Sequence, residues 1–379
     1  MRALGRLPWP GGTQMPRRGW FARLVARPEA QAFLGRLPVG AALARRDGSE
    51  IFEILQGFVA SQVLLALVEL DLLDALLPGP EAPEALARPR DIAPDRMTAL
   101  LQAGAALGLL RRQRDGRYGL ARRGAAILGV PGLTDMIRHD VAFYRDMADP
   151  VAVLRETGET RLSKFWPYVL GDAGEVPAAE AARYSDLMAR SQVLVAEDTL
   201  RSVSLRGVTR LMDIGGGSGV FLGAALGRYH GLQGALLDLP GVIPQAESRL
   251  GREVCAGRVA LHGGSFRAGP LPRGADAISL IRVLYDHDDA TVADLLARVH
   301  AALPPGGRLI VSEPMAGEDR PDRAGDLYFA FYTMAMGTGR ARSPARVVAL
   351  CRAAGFGPVR VHRARRPYVT RVVTGVKAR

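Results

Sequence analysis

Cysteine is nearly absent: Cys255 and Cys351 are the two in 379 residues, and they stand far apart in the chain. Two cannot build a disulfide framework or a cysteine zinc site, and such scarcity fits a reduced, intracellular compartment. Histidine is sparse as well. His139, His230, His262, His300 and His362 show no ligand spacing such as H-E-x-x-H, so no metal is expected. Lysine is confined to Lys164 and Lys377, which leaves the net charge of +12 to arginine. A basic balance permits a nucleic-acid or anionic-membrane partner without indicating a fold. Long apolar runs are missing too. The most apolar stretch, residues 54–68, holds Gln56 and Gln62 between Glu53 and Glu69 and is 15 residues long. That falls short of the roughly 20 needed to span a bilayer, so it reads as a buried helix. Residues 1–46 contain no apolar core of a secretory signal.

What is present describes a globular chain of about two domains. Hydrophobic residues make up 48% and charged residues 23%, enough apolar material for a full core. Residues 1–47 form a basic arm, with nine Arg in 1–46 against the single acid Glu29. Pro8, Pro10, Gly11, Gly12 and Pro16 interrupt any early helix. The arm reads as solvated and partly disordered, or as one that docks on anionic lipid through its arginines and Trp9, Trp20, Phe21 and Phe33.

Residues 48–165 read as a mainly helical domain. Ser49 is placed to cap a helix with Phe52, Leu55, Phe58, Val59, Val63 and Leu67 on one side. Short helices follow near 83–87 and 94–107. Asp115-Gly116 between two apolar pairs then signals a hairpin. That order is winged-helix-like. Arg111, Arg112, Arg114 and Arg117 on the hairpin would suit DNA, but a first helix so uniformly apolar suits a partner subunit better. A homodimer and no nucleic-acid partner are expected. Residues 166–200 read as a helical connector. From 201 to 379, strand candidates at 209–213, 235–238, 259–261, 275–281, 308–312, 359–361 and 369–376 alternate with helices. The fold class is therefore α/β, a Rossmann-like doubly wound sheet, with ligands at the carboxyl ends of its strands.

The first of those strands runs into Leu211-Met212-Asp213-Ile214-Gly215-Gly216-Gly217-Ser218-Gly219. Glycines at 215, 217 and 219 let backbone approach a ligand closely. A dinucleotide fingerprint would need glycine where Val220 stands, and the head-of-loop carboxylate of Asp213 would repel a pyrophosphate. It suits S-adenosylmethionine, which has no phosphate and carries an ammonium and a sulfonium. Asp238, at the end of the second strand, can accept both ribose hydroxyls. After the third strand, Gly263-Gly264-Ser265-Phe266 can line an adenine, with Phe266 either stacked on the ring or part of the core.

These segments resemble the caffeate/hydroxyindole-type O-methyltransferases, as do Leu237-Asp238-Leu239-Pro240-Gly241, Tyr285-Asp286-His287-Asp288-Asp289, Leu303-Pro304-Pro305-Gly306-Gly307 and Ser312-Glu313-Pro314. The resemblance covers roughly 48–379. It implies a winged-helix-like dimerisation domain, a Rossmann-like domain and no metal. It also implies a S-adenosyl-L-methionine site of Asp213, Gly215, Gly217, Asp238, Leu239, Gly264, Ser265, Phe266 and Arg282, with S-adenosyl-L-homocysteine as product. The family's usual His-Asp-Trp, whose histidine is the general base, is here Tyr285-Asp286-His287. Glu313 keeps the partnering acid, whereas a second acid usual in the plant enzymes falls near Ala341. The catalytic candidates are thus Tyr285, His287 and Glu313. Asp286, Asp288 and Asp289 read equally as helix caps.

Within the family, residues 282–289 and 49–73 are similar to the purple-bacterial carotenoid branch, which methylates the tertiary C-1 hydroxyl of acyclic carotenoids. The substrate would be apolar, and the enzyme cytoplasmic or peripheral on the intracytoplasmic membrane. A tertiary alcohol is too weak an acid to ionise first, so loss of the histidine base favours it mildly over a phenol. Tyr184, Met188, Ser191, Phe331 and Met334 are candidates for an elongated pocket, since Met suits flexible ligands; the same residues can equally be core. A phenolic natural product or bacteriochlorophyll acceptor, and a ligand-binding winged-helix regulator, are the other readings.

Overall fold

The computed structural model describes residues 19–34, 36–165 and 178–378; residues 1–18 of the basic arm lie outside them. Two short helices, Trp20–Val25 and Pro28–Leu34, lead into a 32-residue helix, Pro38–Glu69. This corrects the expected start at Ser49. Pro38, preceded by extended Leu37, occupies the first helical turn, the one position where its missing N–H costs nothing. No further proline interrupts the turns up to Ser49, so the helix runs through it. Its best 18-residue window has a mean hydropathy of 1.9, and by length and composition alone the helix could cross a bilayer. The expectation of burial holds only for its end, where Leu67 and Val68 are enclosed. Ile51, Phe52, Ile54, Leu55 and Phe58 expose 58–76% of their surface in the single chain.

The buried end packs with Leu72, Leu73, Met97, Leu101, Leu110 and Tyr118 into one small core. Helices Pro83–Ala87 and Pro94–Ala106 and the antiparallel hairpin β1 (Leu110–Arg112) and β2 (Tyr118–Leu120) complete it. Gly116, with φ of 87°, turns the hairpin. The helices Leu133–Asp146, Pro150–Leu154, Arg161–Phe165 and Ala178–Ser202 then lead to the large sheet.

That sheet has seven strands: β3 (Arg210–Ile214), β4 (Gln233–Asp238), β5 (Val259–Gly263), β6 (Ala277–Ile281), β7 (Arg308–Glu313), β8 (Phe356–Val361) and β9 (Arg371–Lys377). The order is β5-β4-β3-β6-β7-β9-β8, parallel except for β9, which is antiparallel to both of its neighbours. Helices cover both faces, which is why β6 is buried at all five positions. The chain winds outward from β3 in one direction through β4 and β5, then returns to β6 on its other side. The crevice at the carboxyl ends of β3 and β6 is therefore the switch point where ligands of such sheets bind.

The stretch that holds Phe331 and Met334 is helical: a wide turn, Arg323–Phe329, continues into Ala330–Met336. This segment meets Leu133–Asp146 through two polar contacts. Tyr328 donates to Asp140 at 2.8 Å, and His139 lies 2.9 Å from the Tyr332 hydroxyl.

Candidate active site

Asp213 is the last residue but one of β3, in register with Ser279 of β6, whose hydroxyl donates to Asp213 Oδ1 at 2.6 Å. The expected carboxylate facing a ligand is instead 1% exposed. Its Oδ2 lies under the loop, where a Cβ at Gly216 would come within 2.9 Å. Burial pushes its pKa up to about 7, opposed by the Ser279 hydrogen bond, and the Asp238 charge adds to the rise. Asp213 therefore shapes the glycine turn from beneath. The turn needs its glycines: Gly215 has φ of 66°, and a side chain there would meet Val283 at 2.8 Å.

Asp238 links the turn to the next strand. Gly217 N donates to its Oδ2 and Leu239 N to its Oδ1, both at 2.7 Å. Each carboxylate oxygen keeps a lone pair for another donor. Burial raises its pKa against those two N–H bonds. Gly217 opens on free space, and Gly264 N donates to the Asp238 carbonyl at 2.8 Å. Ser265 Oγ accepts from Arg267 N. Phe266 is partly buried against the main core and stands edge-on to His287, with ring centres 5.3 Å apart. The residues thus offer a close-approach turn, a diol acceptor and an apolar ring wall, which is the donor set that S-adenosylmethionine asks for.

The catalytic candidates separate into two places. His287 stands against Phe266, its Nδ1 3.0 Å from Arg267 and its pKa lowered to about 4 by burial and by the Arg267 charge. Tyr285 is 2% exposed. Its N–H donates to Glu313 Oε2 at 3.1 Å, and its hydroxyl accepts from Arg282 at 3.1 Å. Arg282, with φ of 57°, also donates to Ser191 Oγ at 3.0 Å. Its guanidinium thus lies with Tyr285 and Ser191. Burial raises the Tyr285 pKa, opposed by Arg282, and lifts Glu313 to about 8, opposed by Arg342. Asp288 caps the helix Asp289–Ala302 by accepting from Thr291 N.

Arg342 is the residue that sequence reasoning missed. It is 2% exposed, and it donates at 2.7 Å to each of Leu284 O, His287 O and Asp289 Oδ1. It clamps the turn that carries Tyr285. In a chain so rich in arginine, nothing marks it out.

Of the pocket candidates, Phe331 is partly buried against Phe143, Val153, Leu162 and Tyr332, and Met334 is 42% exposed. Met315 and Met336 are core. Tyr184 and Met188 fall on the helix Ala178–Ser202, with side chains outside the described residues.

Comparison with known proteins agrees with this arrangement. The O-methyltransferase domain family matches residues 144–357, and the O-methyltransferase dimerisation domain matches 52–129. A demethylspheroidene O-methyltransferase of Cereibacter sphaeroides is 52% identical over 373 residues, with 98% of each chain covered. One of Rhodobacter capsulatus is 47% identical over 97% of this chain and 91% of its own. Among solved structures, human N-acetylserotonin methyltransferase in complex with SAM shares the fold, with a TM-score of 0.74 at 24% identity, covering 88% of this chain and 98% of that one. The SAH-bound CalO1, a methyltransferase in calicheamicin biosynthesis, has a TM-score of 0.71 at 26% identity, covering 90% and 99%. The chain belongs to the S-adenosylmethionine-dependent O-methyltransferase family, with a dimerisation domain ahead of its catalytic domain.

Proposed function

We propose that the protein methylates the tertiary C-1 hydroxyl of an acyclic hydroxycarotenoid of the demethylspheroidene or hydroxyneurosporene type, a step of spheroidene formation. The end-to-end match to two demethylspheroidene O-methyltransferases carries this reading. The chemistry of the site supports it. When bound, S-adenosylmethionine supplies an electrophilic methyl group. Asp238 and Leu239 would hold its ribose, Gly215 and Gly217 its amino-acid end, with Asp213 beneath them. Gly264, Ser265 and Phe266 would flank the adenine, beside His287. Tyr285, Arg282 and Glu313 serve the acceptor hydroxyl. With Tyr285 where a histidine would stand, the site holds no strong standing base there, which suits an aliphatic alcohol rather than a phenol. Ser191, Phe331 and Met334, together with Tyr184 and Met188, would line the path of the polyene. The Phe329 ring stands edge-on to Tyr285, with ring centres 6.4 Å apart.

Incubation with S-adenosylmethionine and a panel of acyclic hydroxycarotenoids and phenols, read by mass spectrometry, tests the acceptor. Methylation of phenols alone would sink the carotenoid reading. No metal is required in this scheme, so turnover should survive exhaustive chelation.

The same reading divides the chain into a basic arm (1–47), a dimerisation domain (48–165), a connector (166–200) and the catalytic domain (201–379). It also takes the enzyme to be cytoplasmic and peripheral on the membrane that holds its substrate. Phe33, Leu37, Val39 and Leu43 are 45–75% exposed ahead of the matched dimerisation domain, among Arg23, Arg27, Arg36, Arg45 and Arg46. Basic residues near an anionic surface contribute about 1 kcal/mol each. Flotation with vesicles containing anionic lipid, but not with neutral vesicles, is the expected result; equal binding to both removes the part given to the arginines, and binding to neither removes the membrane role.

A further inference from the structure

Two carboxylates lie behind Tyr285, and Asp286 remains without a task. Asp286 Oδ1 and Glu313 Oε1 are sealed from solvent with no hydrogen-bond partner among the described residues. Glu313 sits on the backbone side, where its other oxygen takes the Tyr285 N–H. Asp286 follows Tyr285 at the end of the short turn Leu284–Asp286, where the Arg282 charge and the Tyr285 side chain both favour its ionised form. Arg282 donates to the Tyr285 hydroxyl, so the oxygen accepts from one side and its own hydrogen is left for the carboxylate.

We propose that Asp286 is the terminal proton acceptor of the reaction, receiving the acceptor hydroxyl's proton through Tyr285. This rests on the reading of Tyr285 given above. The acceptor oxygen forms its bond to the methyl carbon as the carbon–sulfur bond breaks, and that electron pair stays on sulfur. The acceptor's proton passes to Tyr285 Oη while Tyr285's proton passes to the Asp286 carboxylate. A cationic sulfonium and a buried carboxylate are replaced by a thioether, an ether and a neutral carboxyl group, so the step balances without any further reactant.

A relay of this kind needs an empty carboxylate, so turnover falls as pH drops through the Asp286 pKa. Burial raises that pKa to about 7, opposed by the Arg282 charge and the Tyr285 hydrogen bond. The charged groups around it are Arg282 and Tyr285 on its own turn and Glu313 at the end of β7, with Arg342 beyond Glu313. Thr338 touches only its backbone carbonyl.

Infrared pH titration of the unloaded full-length protein is the first readout. Asp213 and Glu313 also gain protons near this range, so the Asp286 signal is the part of the protonated-carboxyl band appearing as pH falls through about 7 that is lost in Asp286→Asn. In Tyr285→Phe it should persist and move to higher pH, because a hydrogen bond to the charged form is gone. The second readout is the pH profile of kcat. The wild type should lose activity on the acid side, whereas Asp286→Asn should be about 100-fold slower or worse at its best pH, without that limb. A merely structural role would lower kcat and keep the limb. A band whose amplitude Asp286→Asn leaves unchanged, or an acid limb that survives it, overturns the relay. If no hydroxycarotenoid is methylated, the acceptor reading fails on its own, and the infrared titration still decides whether Asp286 takes the proton.

Discussion

Replacing Arg342 with methionine tests how the catalytic turn is held. The guanidinium is enclosed and makes three hydrogen bonds of 2.7 Å, to Leu284 O, His287 O and Asp289 Oδ1. Methionine fills much of the same space but donates nothing. The two carbonyls flank Tyr285 and lose their charged donor; leaving such a buried group unsatisfied costs about 1–3 kcal/mol each. The side chain of Asp289 is 31% exposed and keeps Arg346, so its own loss is small. The sum is about 2–6 kcal/mol, which brackets the roughly 3–5 kcal/mol for breaking a buried ion pair from one side. Arg346→Met is the control. It removes a neighbouring pair to the same Asp289, but from a side chain 53% exposed, where exposed pairs are worth about 0–1 kcal/mol. Urea unfolding at one fixed protein concentration gives both values, because dimer stability depends on concentration. Should Arg342→Met fall within about 1 kcal/mol of Arg346→Met, the clamp does not hold the turn.

Three other outcomes follow from the same geometry. Asp238→Asn leaves one oxygen for Gly217 N and Leu239 N to share, and should weaken S-adenosylmethionine binding about 10- to 100-fold in calorimetry, the loss of one charge-assisted hydrogen bond; an unchanged affinity excludes Asp238 from the ribose. Glu313 has its folded pKa raised from 4.5 to about 8, so the folded state holds a proton that the unfolded state has released across that window. Stability should fall as pH rises through it, and Glu313→Gln should flatten the fall in denaturation curves taken from pH 5 to 8. Phe52 and Phe58 are 62% and 72% exposed in the single chain, within the matched dimerisation domain. Phe52→Ser with Phe58→Ser should shift sedimentation from dimer toward monomer, and an unchanged dimer would move the seam elsewhere.

Most of the catalytic fold was legible because its signals are local. Each parallel strand is an apolar run ended by a turn residue, and the Asp213 and Asp238 positions fall at strand ends. Hairpin β1–β2 was readable from Asp115-Gly116 alone. The long helix was misjudged at its start because Ser49 is a good cap that the chain does not use: Pro38 had already begun the helix, and Asp47-Gly48 does not stop it. Apolar character alone also could not tell a face buried in the chain from one left for another copy. Within the site, types and spacing gave the members but not their directions. Asp213 was expected to face the ligand and lies under the loop. Arg282 and His287, both near the crevice in sequence, part company because the turn Leu284–Asp286 sends Tyr285 toward Arg282 and His287 toward Arg267. Arg342 was invisible because two of its three close partners are backbone carbonyls, which leave no mark on sequence.

The exchange of histidine for tyrosine makes sense once the acceptor's acidity is considered. A phenol, with a pKa near 10, can lose its proton to a nearby base before or during attack, and a base that titrates near neutrality is the right partner. A tertiary alcohol is a far weaker acid and attacks while still protonated; its proton becomes strongly acidic only as the new bond forms. A histidine waiting beside it then gains little, and as a cation it would oppose the arriving sulfonium. The pair Tyr285 and Asp286 inverts that charge logic. Tyr285 stays neutral because burial raises its pKa, and the negative charge sits one residue behind it, balanced by Arg282. Such a site is poor at generating a phenolate and well suited to removing a proton released late. On this view the apolar substrate and the altered base are one adaptation: an alcohol that cannot be activated beforehand requires proximity and a late proton sink, and the turn held by Arg342 supplies both.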